Sequence, residues 1–161
     1  MKQIALFSCL GRACLAFALL AAFLAAFPAP FSAPFLAPAH AETRTAFVLS
    51  VYDGDSIRVQ IPGWPNIVGQ NMPVRILGID TPELRGKCAE EKARARAARD
   101  RLRAILPKGR RIELRQIDRG KYFRLLAEIW IEDQNIGQGL VTQGLAAAYQ
   151  GGPRPVWCQA G

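Results

Sequence analysis

Phe47-Val48-Leu49-Ser50-Val51-Tyr52-Asp53-Gly54-Asp55-Ser56-Ile57-Arg58-Val59-Gln60-Ile61 is the stretch on which the fold class turns. Phe47, Leu49 and Val51 recur at every second position, as do Ile57, Val59 and Ile61, with Asp53-Gly54-Asp55 between the two runs. Period two is the mark of a half-buried strand, and Asp-Gly is a strong hairpin signal. The reading is two strands joined by a tight acidic turn, each laying one apolar face on a shared core.

Working outward, Pro62-Gly63-Trp64-Pro65-Asn66 opens a long connection to a third strand at about Val74 to Ile79. From Lys87 to Leu106 the period changes to helical, carried by Ala95, Ala98, Leu102, Ile105 and Leu106, and Pro107 with Gly109 closes the segment. Strand character returns at Arg111 to Gln116 and Leu125 to Ile131, where Ile112, Leu114, Leu125, Ala127, Ile129 and Ile131 alternate. Ile136 to Gln143 reads as a short helix ended at Gly144. The order predicts a mainly β fold with α, a five-stranded OB-type barrel with a long helix after strand three and a short helix after strand five. There is no internal repeat. Trp64 is read as a loop residue and Trp130 as core packing.

A chain of 161 residues suits one compact domain. Its 21 basic and 13 acidic side chains leave a net charge of +8, unevenly placed. Residues 1–41 hold only Lys2 and Arg12 and no acid, so residues 42–161 carry 19 basic and 13 acidic groups, a net of +6. Lys2 and Arg12 form a basic start, Ala13 to Phe27 is an apolar run, and Ala39-His40-Ala41 supplies a small-x-small cleavage pattern. Residues 1–41 are therefore expected to be a cleaved signal peptide and 42–161 the working domain, exported to the periplasm or secreted. An uncleaved N-terminal membrane anchor is the rival reading. His40 is the only histidine, so a cleaved chain has no imidazole base, nucleophile or metal ligand. Cys88 and Cys158 would be the remaining cysteines, and in an oxidising compartment two thiols are expected to pair. Two unrelated thiols are the alternative.

Two acidic turns carry the candidate chemistry: Tyr52-Asp53-Gly54-Asp55-Ser56, and Gly78-Ile79-Asp80-Thr81-Pro82-Glu83 at the exit of strand three. Acids at strand ends are often mere turn formers. Arg75, however, sits inside the apolar Val74-Arg75-Ile76-Leu77 and needs a carboxylate or an anion if it points inward. Strict alternation puts Arg75 and Asp80 on opposite faces, so their convergence requires a bend, and Gly78 is where one is expected.

Val74-Arg75-Ile76-Leu77-Gly78-Ile79-Asp80-Thr81-Pro82-Glu83, preceded by Asp53-Gly54-Asp55 and followed by Lys121-Tyr122-Phe123-Arg124-Leu125-Leu126-Ala127, resembles the staphylococcal nuclease (thermonuclease) family from about Phe47 to Tyr149. The resemblance implies an OB barrel and calcium-dependent hydrolysis of phosphodiester bonds in DNA and RNA, with the 5′ oxygen leaving and a 3′-phosphate produced. It assigns Asp55, Asp80 and the main-chain carbonyl of Thr81 to Ca²⁺, Arg75 and Arg124 to the phosphate, and Glu83 to the attacking water. Lys121 and Tyr122 are implied to touch a neighbouring phosphate and Tyr149 to stack on the nucleotide. Single-stranded DNA or RNA is the implied partner, with no stable protein partner and a monomeric chain. The residue types suit the task. Ca²⁺ is a hard cation served by oxygen ligands, and guanidiniums bind phosphoryl oxygens in forked geometry.

Several positions depart from the family pattern. Phe123 stands where the family usually has glycine, and Gly120 where it often has an acid. With twelve residues after Tyr149, the family's C-terminal helix is expected to be missing. The ending Gly151-Gly152-Pro153-Arg154-Pro155-Val156-Trp157-Cys158, with Arg85-Gly86-Lys87-Cys88, resembles an exported branch in which a Cys88–Cys158 disulfide stands in for that helix. Tyr122 and Tyr149 also admit a plain reading as half-buried barrel residues. The basic residues between Lys87 and Arg103 are read as a solvated face, since Glu90, Glu91 and Asp100 are interspersed. The rival functions are a non-catalytic OB barrel that binds nucleic acid and a membrane-anchored envelope protein.

Overall fold

A computed structural model of the protein describes residues 42–158. The signal-peptide and cleavage expectations fall on residues 1–41 and lie outside the described residues. Among the described residues, eight strands and three helices follow in the order β1 (Arg44–Val51), β2 (Ser56–Gln60), α1 (Asn66–Gly69), β3 (Met72–Ile76), β4 (Ile79–Asp80), α2 (Ala89–Ile105), β5 (Arg111–Arg119), β6 (Leu125–Ile131), β7 (Gln134–Asn135), α3 (Ile136–Thr142) and β8 (Ala147–Ala148). No helix among the described residues is long and apolar enough to cross a membrane.

Five strands close a barrel. β1 pairs antiparallel with β2 and β5, β2 with β3, and β5 with β6, while the parallel pairing of β3 with β6 seals the ring. This is the OB-type barrel expected from the element order. Alternation fills it from every strand: Val48, Ile57, Val59, Val74, Ile76, Ile112, Leu114, Ala127 and Ile129 are all at most 1% exposed. Leu102 from the long helix, Leu106 just after its end and Leu140 from α3 join the same core. The two helices thus plug the barrel with apolar stripes, the large favourable term in a domain of this size.

The inward face of β1 differs from the simple period. Ala46 and Val48 are buried, whereas Phe47 is 37% exposed and Leu49 is half-buried. The β1–β2 register shifts between Val48 and Ser50, a bulge that changes parity, so Val51 returns to the core. Trp130 is also not a core residue. Alternation in β6 turns it outward, where its ring packs 4.3 Å from the Arg115 guanidinium carbon and its Nε1 donates to Glu128 at 2.8 Å. α1 interrupts the long connection, and β4 pairs with β8 outside the barrel.

The long helix begins at Cys88, whose sulfur accepts from the Glu91 N–H as an N-cap. Glu90 and Glu91 in the first turn and Arg103 in the last oppose the helix dipole favourably. Ala95, Ala98 and Leu102 are buried, and Lys92, Arg94, Arg96 and Arg101 are exposed. Glu91 belongs to the buried set, contrary to its reading as one of the solvated charges.

Candidate functional site

The hairpin between β1 and β2 is closed by its own acid and backbone. Asp53 Oδ1 accepts from the Asp55 N–H at 3.1 Å, and the Ser56 carbonyl accepts from the Tyr52 N–H at 2.9 Å. This turn is pressed against the second acidic turn. A Cβ on Gly54 would stand 2.9 Å from Ala98 Cβ and 3.0 Å from Thr81 Oγ1, so only glycine admits so close an approach. The Asp55 carbonyl also accepts from the Ile76 N–H at 2.8 Å, which fixes the turn to the end of β3.

The bend expected at Gly78 is present. β3 stops at Ile76, Gly78 adopts φ +82°, and the chain resumes as β4 at Ile79. Two residues outside the strand pattern release the alternation and rotate Asp80 onto the side of Arg75. Arg75 then bridges both turns, with Nη1 2.6 Å from Asp55 Oδ2 and Nη2 2.8 Å from Asp80 Oδ1. Asp55 and Asp80 are 2% and 0% exposed, burial that ordinarily requires full partnering of a carboxylate. Asp80 Oδ2 is nevertheless buried without a hydrogen-bond partner among the described residues. Burial pushes Asp55 up to about 6 from its usual 3.8; the Arg75 guanidinium opposes the shift and the Asp53 charge adds to it.

Glu83 follows at the edge of the same cleft, with its side chain 49% exposed. Its backbone N–H donates to Glu91 Oε1 at 3.3 Å, while Glu91 Oε2 accepts from the Lys87 N–H at 2.9 Å. The buried Glu91 thus holds the loop that presents Glu83. Nothing in sequence spacing marks it beyond its place in the first turn of a helix.

One further residue enters the site unannounced. Arg154 donates from Nη2 and Nε to Asp80 Oδ1 at 2.7 and 3.1 Å, and its Nη1 lies 2.6 Å from Glu83 Oε1. Its hydrogen bond to Asp80 raises its basicity, so it is charged at any working pH. Arg154 arrives on the segment bonded to the start of the long helix by the Cys88–Cys158 disulfide, whose Cα atoms are 6.0 Å apart. The only sequence signal for it was the rigid Pro153-Arg154-Pro155 setting four residues before a cysteine.

The remaining candidates fall around this centre. Tyr149 donates its backbone N–H to the Gly78 carbonyl at 2.9 Å, and it lines a groove of about 540 Å³ that also contains Arg75 and Gly78. Arg124 takes no part in the ion pairs of Asp55, Asp80 and Glu83. It lines a separate hollow of about 220 Å³ with Tyr52, Asp53 and Ser56, and its Nε is buried without a hydrogen-bond partner among the described residues. Lys121 and Tyr122 lie on the exposed loop before it, Tyr122 at 88% exposure, which removes the barrel reading of that tyrosine. Phe123, where glycine was expected, holds φ +54°, and its ring packs 5.1 Å from the Arg119 guanidinium carbon. The left-handed turn is therefore kept without glycine.

Two carboxylates and a carbonyl-bearing loop, with one buried oxygen left without a partner, form an all-oxygen donor set fit for a hard divalent cation. The arginine between them suits an anion.

Comparison with known proteins agrees with this arrangement. The family described as Staphylococcal nuclease homologue matches residues 73–155. The chain is 32% identical over 102 residues to the thermonuclease of Staphylococcus intermedius, an alignment covering 63% of this chain and 57% of that protein. The chain thus spans little more than half the length of that relative. With Arg75, both acidic residues of the second turn, the long helix and Arg154 all inside the matched region, this chain belongs to the staphylococcal nuclease homologue family.

Proposed function

We propose that the protein is an exported, Ca²⁺-dependent nuclease that hydrolyses phosphodiester bonds in single-stranded DNA and RNA. The observation that carries this reading is Arg75 bridging Asp55 and Asp80 while Asp80 Oδ2 stays buried and, among the described residues, without a partner. Asp55, Asp80 and the Thr81 carbonyl would hold the cation, which when bound polarises the phosphate and favours ionised water.

The chain's own residues supply the rest. Arg75, relieved of its neutralising role when the carboxylates gain a cation, binds a phosphoryl oxygen and offsets the charge that builds there in the transition state. Glu83, partly exposed at the cleft edge, takes the proton of the attacking water at its carboxylate, the natural base in a described region without histidine. Arg124 offers a second guanidinium from its own hollow. Tyr149 lines the groove beside Arg75 and gives a base an aromatic face to stack on, while Lys121 and Tyr122 on their exposed loop meet a neighbouring phosphate. The 5′ oxygen departs and the phosphate stays on the 3′ side.

A second reading, a barrel that holds nucleic acid without cutting it, is favoured by one observation: Arg154 engages the Glu83 carboxylate. Product analysis separates the two. Incubation of a labelled single-stranded oligonucleotide with the chain and Ca²⁺ is expected to give fragments ending in 3′-phosphate and 5′-hydroxyl. Arg75→Ala and Glu83→Gln should each slow the reaction by about 10²-fold or more. Tight binding with no fragments would establish the non-catalytic reading. Full activity of Arg124→Ala would mean that the second phosphate contact lies elsewhere.

A further inference from the structure

Arg154 is chemically misplaced for a bystander. A free guanidinium would sit in water, yet this one is drawn onto a fully buried carboxylate and a half-exposed one at once. The two contacts differ in strength. Glu83 is 49% exposed, so its ion pair is screened and readily exchanged, whereas Asp80 is buried and its pairing is not. Beside the pair lies a hollow of about 380 Å³ lined by Glu83, Glu91, Arg154 and Trp157, so open space adjoins the Arg154 side chain. The backbone itself is constrained: proline on both sides of Arg154 restricts its path, and Cys158 is bonded to Cys88 at the helix start.

Charge arithmetic then decides what Arg154 does. Arg75 already supplies one positive charge to Asp55 and Asp80 together. Arg154 adds a second, so among the described residues the cluster of Asp55, Asp80 and Glu83 is met by two guanidiniums. Three carboxylates against two guanidiniums leave a net of −1 where the carboxylates alone would present −3, so a divalent cation approaching the open Asp80 Oδ2 meets a charge that is already largely offset.

We propose that Arg154 is a positioning residue of this site, a tethered guanidinium that orients the Glu83 carboxylate toward Asp80 and competes with the divalent cation for the Asp80 charge. Its reach is set by the Cys88–Cys158 bridge. The proposal rests on the cation-binding reading given above and adds to it a built-in competitor that lowers the affinity of the site while keeping the base in place.

Titration calorimetry of Ca²⁺ into the full-length chain tests this with a readout independent of cleavage. Arg154→Gln is expected to bind Ca²⁺ about tenfold more tightly or better, the scale on which a full charge within ~4–6 Å moves a carboxylate equilibrium. Arg154→Lys should stay close to wild type, because the charge is retained. Opening the tether with Cys88→Ala/Cys158→Ala should move the affinity in the same direction as Arg154→Gln. A purely structural Arg154 would give weaker binding in Arg154→Gln, which would overturn the proposal. Equal affinity in wild type and Arg154→Gln, with binding abolished in Asp80→Asn, would overturn this proposal alone. Binding that survives Asp80→Asn unchanged would overturn the cation reading, and this proposal with it. Arg154 is 48% exposed on its side chain, so its replacement leaves the fold in place for the measurement.

Discussion

Arg75 Nη2 donates to Asp80 Oδ1 at 2.8 Å although unbroken alternation would put the two residues on opposite faces, and the reversal is produced by Leu77 and Gly78 between β3 and β4. The Leu77 N–H still reaches the Ala127 carbonyl of β6 at 2.9 Å, so the bend is fixed to the barrel at the point where β3 closes on it. The site is thus a consequence of barrel closure. The same parallel β3–β6 contact that seals the ring also ends β3 where the chain must turn.

The meeting of the two acidic turns depends on a missing side chain. Gly54→Ala places a methyl group 2.9 Å from Ala98 Cβ and within 3.1 Å of Thr81 Cβ, so the helix or the second turn must shift. A loss of about 1–3 kcal/mol, the range for overpacking, is expected in chemical denaturation. The Gly54→Ala/Ala98→Gly double variant should lose less than the sum of the two single losses, and simple additivity would show that the contact is not tight.

Asp55 sets a pH dependence whose sign is fixed by its raised value of about 6. Between pH 3.8 and about 6 the folded, cation-free chain keeps a proton on Asp55 that the unfolded chain has released. The stability from this group is therefore fully present below the ordinary value and is lost as pH rises through about 6. Melting wild type and Asp55→Asn side by side from pH 4 to 7 isolates the effect. Wild type should lose ground to the variant with rising pH, and parallel curves would contradict the burial assigned to this carboxyl.

Much of this is legible in the sequence. The alternation in β2, β5 and β6 and the helical spacing of Ala95, Ala98, Leu102 and Ile105 mark strong, long periods, and they give the barrel and its long helix. The two acidic turns and Arg75 are local in sequence and were visible as candidates. Simple alternation gives the wrong face of β1 because a bulge near Leu49 changes parity, and β4 and β8 are two residues each, too short to show any period. The role of Arg154 is not legible in the sequence, since its contact with Asp80 crosses 74 residues and depends on the path of a segment with no regular structure. Glu91 reads as one more surface charge because burial of a helix's first turn is decided by the loop folded over it. Only tertiary packing carries that information.

The Cys88–Cys158 bridge should also contribute stability. For a separation of 70 residues the chain-entropy picture gives about 4 kcal/mol as an upper figure. Cys88→Ala/Cys158→Ala is expected to lower the denaturation midpoint accordingly. An unchanged midpoint would mean that the segment carrying Arg154 is held by its packing alone.

The arginine-rich helix face is expected to stand apart from substrate. Lys92, Arg94, Arg96 and Arg101 are exposed, and none of the residues assigned to the cation or to Arg75 and Glu83 lies on that face. Replacing Arg94, Arg96 and Arg101 together with Gln should leave the salt slope of single-stranded DNA affinity unchanged. A slope reduced by ~2–3 would place the strand across the helix.

The most direct test of the central claim is the rate at which the full-length chain cleaves a single-stranded oligonucleotide in Ca²⁺ and in excess chelator. Cleavage in Ca²⁺ that falls by orders of magnitude in chelator and returns when Ca²⁺ is restored is the expected result. Cleavage at the same rate in both would contradict the role given to Asp55, Asp80 and Thr81.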